Sequence, residues 1–151
     1  MTPQDSYGSF PRRLDDFLDS LSSVERDQVR FLDYSEDRQM AGQSLDRFPA
    51  VVSGIDWREA AFLEQRGFDD DLEAEHILRE WLDEYLSADR TVFIFWANLR
   101  VPTIELPRSV AKDHLDEIIA ADFDQWFYGR NSRLLIECYH EGTLTAATIP
   151  D

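Results

Sequence analysis

Three histidines and one cysteine are the residues of this chain best suited to catalysis or metal binding. His76, His114 and His140 are far apart in the sequence, and no two of them have the i, i+4 spacing that gives a metal ion two ligands from one helix. Cys138 and His140 flank Tyr139, and strand alternation would send both to one face, as a nucleophile and its base require. Cys138 also fits the small buried thiol of an apolar strand, which is the interpretation we favour.

Carboxylates are abundant, but their spacing follows no metal-binding or catalytic motif. Asp69-Asp70-Asp71 lacks the alternating aspartates, the glycine and the distal glutamate of a calcium-binding loop. The same residues suit the start of a helix, where they cap backbone N–H groups and face the positive end of the helix dipole. No glycine-rich phosphate loop, Gly-x-Ser-x-Gly elbow or paired-carboxylate motif occurs in the sequence. We therefore predict a protein that is not an enzyme and that needs no metal or other cofactor.

The charge of the chain indicates the kind of partner it binds. Its 151 residues include 31 acidic and 15 basic side chains, which gives a net charge of −16. Residues 1–89 carry most of this charge, with 22 acids and nine bases. Such a protein repels nucleic acid and anionic membranes and attracts basic proteins. We expect a basic protein partner, with no direct binding to nucleic acid or to a membrane.

Cysteine content and hydropathy favour a cytoplasmic protein. A single cysteine, Cys138, cannot form an internal disulfide, and this favours a reducing compartment. The first residues show neither a charged leader nor an apolar stretch, and no segment approaches the roughly 20 apolar residues of a membrane span. A chain of 151 residues that is 43% hydrophobic is long enough for one domain with a real core. We expect a single cytoplasmic domain over residues 1–151.

One apolar stretch organises the predicted fold. Residues 91–99 read Thr-Val-Phe-Ile-Phe-Trp-Ala-Asn-Leu, and the lack of polar alternation predicts a central strand covered on both faces. The region before it, residues 12–89, is predicted to be mainly helical and to follow a flexible arm at residues 1–11 that becomes ordered where Tyr7 or Phe10 docks. Its clearest helix is Leu72–Leu86, in which apolar residues recur at i, i+3, i+4 and i+7.

Two shorter helices are predicted in the same region. Ser22-x-x-Glu25 matches a capping box and begins a helix that reaches Leu32. Another helix is expected at Trp57–Arg66, with Gly67 just past its end. The pattern between residues 33 and 54 is poor. The side chains that the Ser22 helix would turn inward are Val24, Gln28, Phe31 and Leu32.

Residues 90–151 are predicted to form a strand, a helix and three further strands. Thr103–Leu106 is expected at an edge of the sheet, and Pro107 opens the helix. The later strands are Asp124–Tyr128 and the hairpin partners Arg133–Tyr139 and Thr143–Ile149, joined by a two-residue loop, Glu141-Gly142. That loop sets Leu134 opposite Ile149, Ile136 opposite Ala147 and Cys138 opposite Thr145, on the face of the hairpin that we expect to be buried. The fold class is α+β, with a helical N-terminal half packed on a small, mostly antiparallel sheet.

Taken whole, the chain resembles the small acidic immunity proteins that bacteria encode beside contact-dependent and other polymorphic toxins. The resemblance rests on size, acidity, the lack of a catalytic motif and the order of the segments. A helical front is followed by Phe-Ile-Phe-Trp-Ala-Asn-Leu, a helix, Asp-Gln-Trp-Phe-Tyr and the hairpin Leu-Ile-Glu-Cys-Tyr-His-Glu-Gly-Thr-Leu. The resemblance implies a cytoplasmic inhibitor that binds one cognate toxin, often a nuclease, and blocks its active site or an adjoining surface.

The acids around helix Leu72–Leu86 are the predicted partner-binding surface. Its apolar stripe forces the carboxylates together on the opposite side, where they can steer a cationic partner while aromatic residues hold it. Two alternatives stay open: a nucleic-acid mimic with carboxylates at phosphate-like spacing, and a small enzyme or ligand-binding domain that uses Cys138 and His140 in a pocket beneath the hairpin. The predicted binding residues are Asp69, Asp70, Glu73, Glu80, Asp83, Glu84, Trp57 and Trp126.

Overall fold

An antiparallel sheet of seven strands lies at the centre of the computed structural model, which describes residues 2–52 and 54–151. The strand order is β1-β6-β5-β7-β8-β9-β4, and β2 and β3 form a separate small hairpin. The strands are β1 (Arg30–Phe31), β2 (Ala50–Val51), β3 (Gly54–Ile55), β4 (Glu64–Gly67), β5 (Thr91–Trp96), β6 (Ile104–Pro107), β7 (Gln125–Gly129), β8 (Leu134–Tyr139) and β9 (Thr143–Thr148).

Helices cover the sheet and fill most of the N-terminal half. The described residues contain α1 (Pro3–Ser6), α2 (Asp15–Ser20), α3 (Ser23–Asp27), α4 (Tyr34–Gln43), α5 (Asp71–Tyr85), α6 (Arg108–Asp113) and α7 (Leu115–Ala121), with short 3-10 helices at Pro11–Leu14 and Leu45–Arg47. The fold is therefore α+β with an antiparallel sheet, as the sequence predicts.

Strand β5 is interior and covered on both faces, in agreement with its apolar sequence. Ile94 lies on one face and is completely buried, together with Phe127 of β7 and Ile136 of β8. This face packs against α2, α5, α6 and α7. Phe95 lies on the other face and is 3% exposed, and its neighbours there include Trp126 of β7. The sheet thus separates two apolar cores.

The second core is smaller and lies under the region whose sequence pattern is poor. Met40 of α4, Phe48 and Ile55 of β3 cover the face that carries Phe95. Asp33 begins α4 as an N-cap, since its side chain accepts the Glu36 backbone N–H at 2.8 Å. Helix and hairpin together close this side of the sheet.

Both edge strands come from the N-terminal half, which corrects two predictions. Thr103–Leu106 was expected at an edge, but the strand there, β6, lies between β5 and β1. The helix predicted at Trp57–Arg66 is wrong, because β4 occupies Glu64–Gly67 and pairs with β9. Gly67 is part of that strand rather than a helix cap. The physical reason is tertiary pairing: a four-residue strand with exposed side chains carries almost no periodic signal of its own.

The helix that starts at Ser22 is shorter than predicted. Its capping box is present, with the Glu25 backbone N–H donating to Ser22 Oγ at 3.1 Å. It ends at Asp27, however, because the chain turns there to pair β1 with β6. Of the side chains expected inside, Leu32 is buried, whereas Val24 is 69% exposed and Phe31 is 45% exposed. Gln28 is exposed as well.

The helix predicted after Pro107 is present but interrupted. His114 leaves the helical conformation, with φ −129° and ψ 29°, and separates α6 from α7. Its imidazole lies 3.2 Å from Ser20 Oγ through Nδ1 and 3.1 Å from a Glu25 carboxylate oxygen through Nε2. This histidine therefore has a structural role, linking the helix junction to α2 and α3.

The C-terminal hairpin is shifted by one residue from the predicted register. Its loop has three residues rather than two, because Gly142 adopts φ 98° and its N–H donates to the Tyr139 carbonyl at 3.0 Å. A three-residue loop closed by a glycine with positive φ is a common hairpin geometry. The observed pairs are Leu134 with Thr148, Ile136 with Ala146 and Cys138 with Leu144. Ile136 and Cys138 are buried as expected, but Leu135 and Glu137 on the opposite face are buried too.

The first residues dock onto the fold through Tyr7. Its hydroxyl donates to the Leu32 carbonyl at 2.8 Å and accepts the Thr103 backbone N–H at 3.0 Å. Burial raises the pKa of this tyrosine to about 12, so the hydroxyl keeps its proton and can serve as the donor. Phe10 is 40% exposed, but its backbone N–H donates to the Arg100 carbonyl and the Arg100 guanidinium lies over its ring, 5.7 Å from the centroid.

Candidate functional site

Helix α5 presents the most regular acidic surface of the described residues. Asp70 is its N-cap and accepts the Glu73 backbone N–H at 2.8 Å. Asp71 and Glu73 lie in the first turn, where the helix dipole favours negative charge. The apolar stripe is buried against the sheet and comprises Ala74, Ile77, Leu78, Trp81 and Leu82. Because the apolar side of α5 packs against the sheet, the carboxylates on its opposite side face solvent.

Four of the predicted acids are exposed and free of ion pairs. Asp69, Asp70, Glu73 and Glu84 are all exposed, and none of them lies within salt-bridge distance of a base in the part of the chain that the structure describes. Their charges are therefore not neutralised within the fold. A cationic partner can use them without breaking an existing pair.

Asp83 differs from the other acids because bases of α6 already surround it. Its carboxylate lies 2.7 Å from Lys112 Nζ and 2.5 Å from Arg108 Nη1. The hydrogen bond from Lys112 is the main cause that lowers the pKa of Asp83. Asp83 is matched by two cations and joins α5 to α6, so it contributes little net negative charge to the surface.

Glu80 connects α5 to the edge strand β4. One of its oxygens lies 3.8 Å from Arg66 Nη1, and the other lies 3.4 Å from His76 Nε2. Close by, the Tyr85 hydroxyl donates to Glu64 Oε1 at 2.6 Å. Burial, together with this bond to a carboxylate, raises the pKa of Tyr85. Helix and edge strand therefore form one continuous surface, which we call the α5–β4 surface.

The two tryptophans predicted as anchors converge on one buried carboxylate. Trp57 Nε1 donates to Glu137 Oε1 at 2.8 Å, and Trp126 Nε1 donates to Glu137 Oε2 at 2.9 Å. Trp126 is only 6% exposed, so it offers no surface to a partner in this structure, while Trp57 is half-buried. Burial raises the pKa of Glu137, and the two indole bonds oppose that shift. This cluster could not be predicted from the sequence, where its one local signal is a single glutamate within an apolar strand.

Cys138 and His140 lack the geometry of a nucleophile and its base. Cys138 is 3% exposed, and burial raises its pKa to about 12, so the thiol stays protonated at neutral pH. His140 Nδ1 lies 2.9 Å from Asp124 Oδ1, which also accepts the His140 backbone N–H at 2.7 Å. Both residues border a cavity of about 240 Å³ beneath the hairpin. The arrangement anchors the loop and supplies no thiolate.

A larger cavity also shows no catalytic set among the described residues that line it. A cavity of about 580 Å³ lies between the β2–β3 hairpin and the ends of β5 and β7, and its lining includes Trp96, Trp126, Phe123, Asp124 and His140. Asp124 and His140 are already bonded to each other there. Within the described ranges, no group of three or more histidine, cysteine or acidic side chains is placed to hold a metal ion. His76 is exposed beside Glu80, and His114 contacts Glu25 at the junction of α6 and α7.

Replacing Cys138 with alanine should change stability and leave function intact. The thiol is buried in the larger core, so truncation removes packing and should lower the free energy of unfolding by about 1 kcal/mol. Urea unfolding and toxin neutralisation in cells should be measured in parallel. His140→Ala serves as the companion variant. A stably folded Cys138→Ala or His140→Ala protein that binds its partner but no longer neutralises it would contradict this interpretation.

Comparison with known families first places the chain in a class, the immunity proteins of bacterial toxin systems. A family model described as CdiI immunity protein, EcoliA0-like, matches residues 14–147. Because this match spans most of the sequence, the chain belongs to the CdiI immunity protein family. It is an immunity protein of contact-dependent inhibition, and the predicted resemblance is confirmed.

Comparison with individually curated proteins gave no match. No helix among residues 2–52 and 54–151 combines the length and the apolar character needed to cross a bilayer. Members of such a family neutralise a cognate toxin by binding it, so the surface that makes this contact is the functional site to be found.

Proposed function

We propose that this immunity protein neutralises a basic toxin domain in the cytoplasm, and that it binds the toxin through the acids of α5. The observation that carries the proposal is the set of exposed carboxylates on the solvent side of that helix, of which all but Glu80 and Asp83 form no ion pair among the described residues. Asp69, Asp70, Glu73, Glu80 and Glu84 present negative charge, and Asp83 holds the helix against α6. Activity is inhibition by binding, without a catalytic step, a cofactor or a metal.

A toxin that acts on nucleic acid is the partner that this charge fits best. A nuclease carries basic side chains along the path of the phosphate backbone. A surface of opposite charge docks there and keeps the substrate out. The same charge repels nucleic acid and anionic lipid, so the immunity protein binds neither directly. Its net charge of −16 also accelerates encounter with a cationic partner over distances of about 8 Å at physiological salt.

Slow dissociation needs apolar contact in addition to charge. Trp57 is half-buried beside Phe62, whose ring is 44% exposed, with ring centroids 6.3 Å apart. These two rings lie next to β4 and can provide the apolar contact of the interface. Trp126 acts indirectly, since it positions Glu137, which in turn positions Trp57. Charge therefore sets the rate of association, and the Trp57–Phe62 pair slows release.

The triple variant Glu73→Lys, Glu80→Lys, Glu84→Lys tests the proposal. Association with the cognate toxin domain should slow by at least about tenfold at low salt, and the salt dependence should largely disappear. Circular dichroism establishes that the variant folds, and stopped-flow or surface-plasmon measurements give the rates at low and high salt. Toxin neutralisation in cells provides the functional readout.

A matched control separates local from overall charge. Asp19→Lys, Asp27→Lys, Asp116→Lys makes the same change in net charge at exposed acids that form no ion pair among the described residues and lie outside α5. The control should keep most of the association rate. Equal rates for wild type, variant and control at both salt concentrations would place the interface elsewhere, with the C-terminal hairpin as the next candidate.

A further inference from the structure

The edge strand β4 presents unpaired backbone groups. It pairs on one side with β9, in the register Glu64 with Ala146 through Gly67 with Thr143. On its other side the sheet ends. Gln65, Arg66 and Gly67 are all exposed, so no described segment covers this edge. An open edge of this kind is a template for a strand from another chain.

The ladder determines which backbone groups point outward. Just past β4, the Phe68 N–H donates to the Gly142 carbonyl at 2.9 Å, and Phe68 stands opposite Gly142 in the register. Bonded residues alternate along an antiparallel strand, so Arg66 and Glu64 also turn their N–H groups toward β9. Gln65 and Gly67 therefore turn theirs outward. No hydrogen bond involves the backbone N–H of Gln65 or of Gly67 beyond this ladder in the described structure.

The β4 edge is only partly protected: the strand is short and carries Glu64 and Arg66, but other protective features of a sheet edge are missing. The segment from Phe62 to Phe68 contains no proline and no lysine. Leu63, just before the strand, is 56% exposed, and Phe62 is 44% exposed. The opposite edge differs, because β1 has only two residues and the Arg30 guanidinium is held there by Glu36 and Glu105.

The two faces next to the β4 edge differ in chemistry. Glu64 and Arg66 point to the α5 face, where Tyr85 and Glu80 contact them. Gln65 points to the other face, where its Nε2 donates to Thr145 Oγ1 at 3.0 Å. That second face also carries the Trp57–Phe62 pair. In a strand added about 4.8 Å beyond β4, successive side chains would point alternately to the acidic face and to the aromatic face.

We propose that the toxin adds one of its own extended segments to β4 as an eighth strand. Backbone bonds to Gln65 and Gly67 fix its register. Its side chains alternate, with cationic residues facing the acids of α5 and apolar residues facing Trp57 and Phe62. This inference rests on the proposed function, since it describes how the same α5–β4 surface holds the toxin. Main-chain pairing gives affinity, and the alternating side chains give specificity.

Proline at position 65 tests the strand addition. Gln65→Pro removes an outward N–H and places a ring at the edge, while the ladder bonds to β9 remain, a position where proline is tolerated in strands. Gln65→Val is the matched control, because it also loses the bond to Thr145 but keeps the N–H and suits a strand. Binding to the cognate toxin domain should weaken at least about tenfold in the proline variant and by less than about threefold in the valine variant. Equal affinity of the two variants would overturn the proposal.

Hydrogen exchange of the wild-type protein gives a second test that needs no variant. In the free protein, the amides of Gln65 and Gly67 should exchange fast, while those of Glu64 and Arg66 are protected. Saturating toxin should protect Gln65 and Gly67. Fast exchange at both positions in the saturated complex would refute strand addition. The triple lysine variant of α5 distinguishes failure of strand addition from failure of the proposed function. If that variant loses binding while the tests of strand addition fail, the acidic surface binds the toxin and only the docking mode is wrong. Unchanged binding in that variant would refute the proposed function itself.

Discussion

Replacing Phe95 with alanine is expected to lower the free energy of unfolding by about 3–5 kcal/mol. Phe95 lies in β5 and is 3% exposed. Its ring belongs to the smaller core, where α4 and the β2–β3 hairpin cover the sheet. Truncation removes the buried apolar surface and leaves a cavity that neighbouring strands cannot fill, since β5 is held by β6 and β7 on its two sides.

Urea unfolding of the variant measures this loss, and Phe123→Ala is the matched control. Phe123 is 72% exposed, so its truncation should cost less than about 1 kcal/mol. A loss at Phe95 no larger than that at Phe123 would mean that the second core contributes little. The association rate of the folded Phe95 variant with the toxin should be unchanged, because the acids of α5 lie on the opposite face of the sheet.

The second large effect is expected at Glu137. Glu137→Ala leaves the indole N–H groups of Trp57 and Trp126 without their acceptor, and Trp126 is buried. An unsatisfied buried donor costs about 1–3 kcal/mol, so the loss should be on the order of 3 kcal/mol. Trp57 should also detach from the sheet. Urea unfolding gives the free energy, and tryptophan fluorescence reports the release of Trp57.

The contribution of Glu137 should depend on pH in a defined direction. Burial raises the folded-state pKa of Glu137 above its ordinary value of 4.5. The folded state therefore binds this proton more tightly than the unfolded state, and the stability that Glu137 provides is complete below that value and falls as pH rises through the folded pKa. Glu137→Gln keeps the shape and removes the titration. The difference in unfolding free energy between wild type and Glu137→Gln should be larger at pH 5 than at pH 8, and a difference that grows with pH would contradict the assignment.

Much of the fold was predictable because its central elements have strong local patterns. Helix α5 was predicted at Leu72–Leu86 and lies at Asp71–Tyr85, and β5 was predicted at Thr91–Leu99 and lies at Thr91–Trp96. The apolar stripe at helical spacing predicts α5, and the continuous apolar run predicts β5, without any knowledge of tertiary contacts. Strand β4 could not be predicted, since its four residues include three that are exposed and its only support is pairing with β9.

The candidate site was predictable only in part. Glu73, Glu80 and Glu84 could be placed on one side of α5 because the helix period fixes their direction. The pairing of Asp83 with Lys112 could not, since the two residues meet only through packing of α5 against α6. The same holds for Trp57 and Glu137, which are 80 positions apart. Sequence spacing predicts which side of a helix or strand a residue lies on, but it does not predict which helices and strands contact each other.

The placement of β1 and β4 at the two ends of the sheet has a consequence for the order of folding. Both strands are made early, but β1 pairs with β6 and β4 pairs with β9. On the ribosome, β4 therefore has no sheet partner until Thr143–Thr148 has been synthesised and has left the exit tunnel. Contacts between such distant segments also slow folding, since a long loop must close before they form. The β4 edge, to which we propose that the toxin binds, therefore forms only after residues 143–148 have been synthesised.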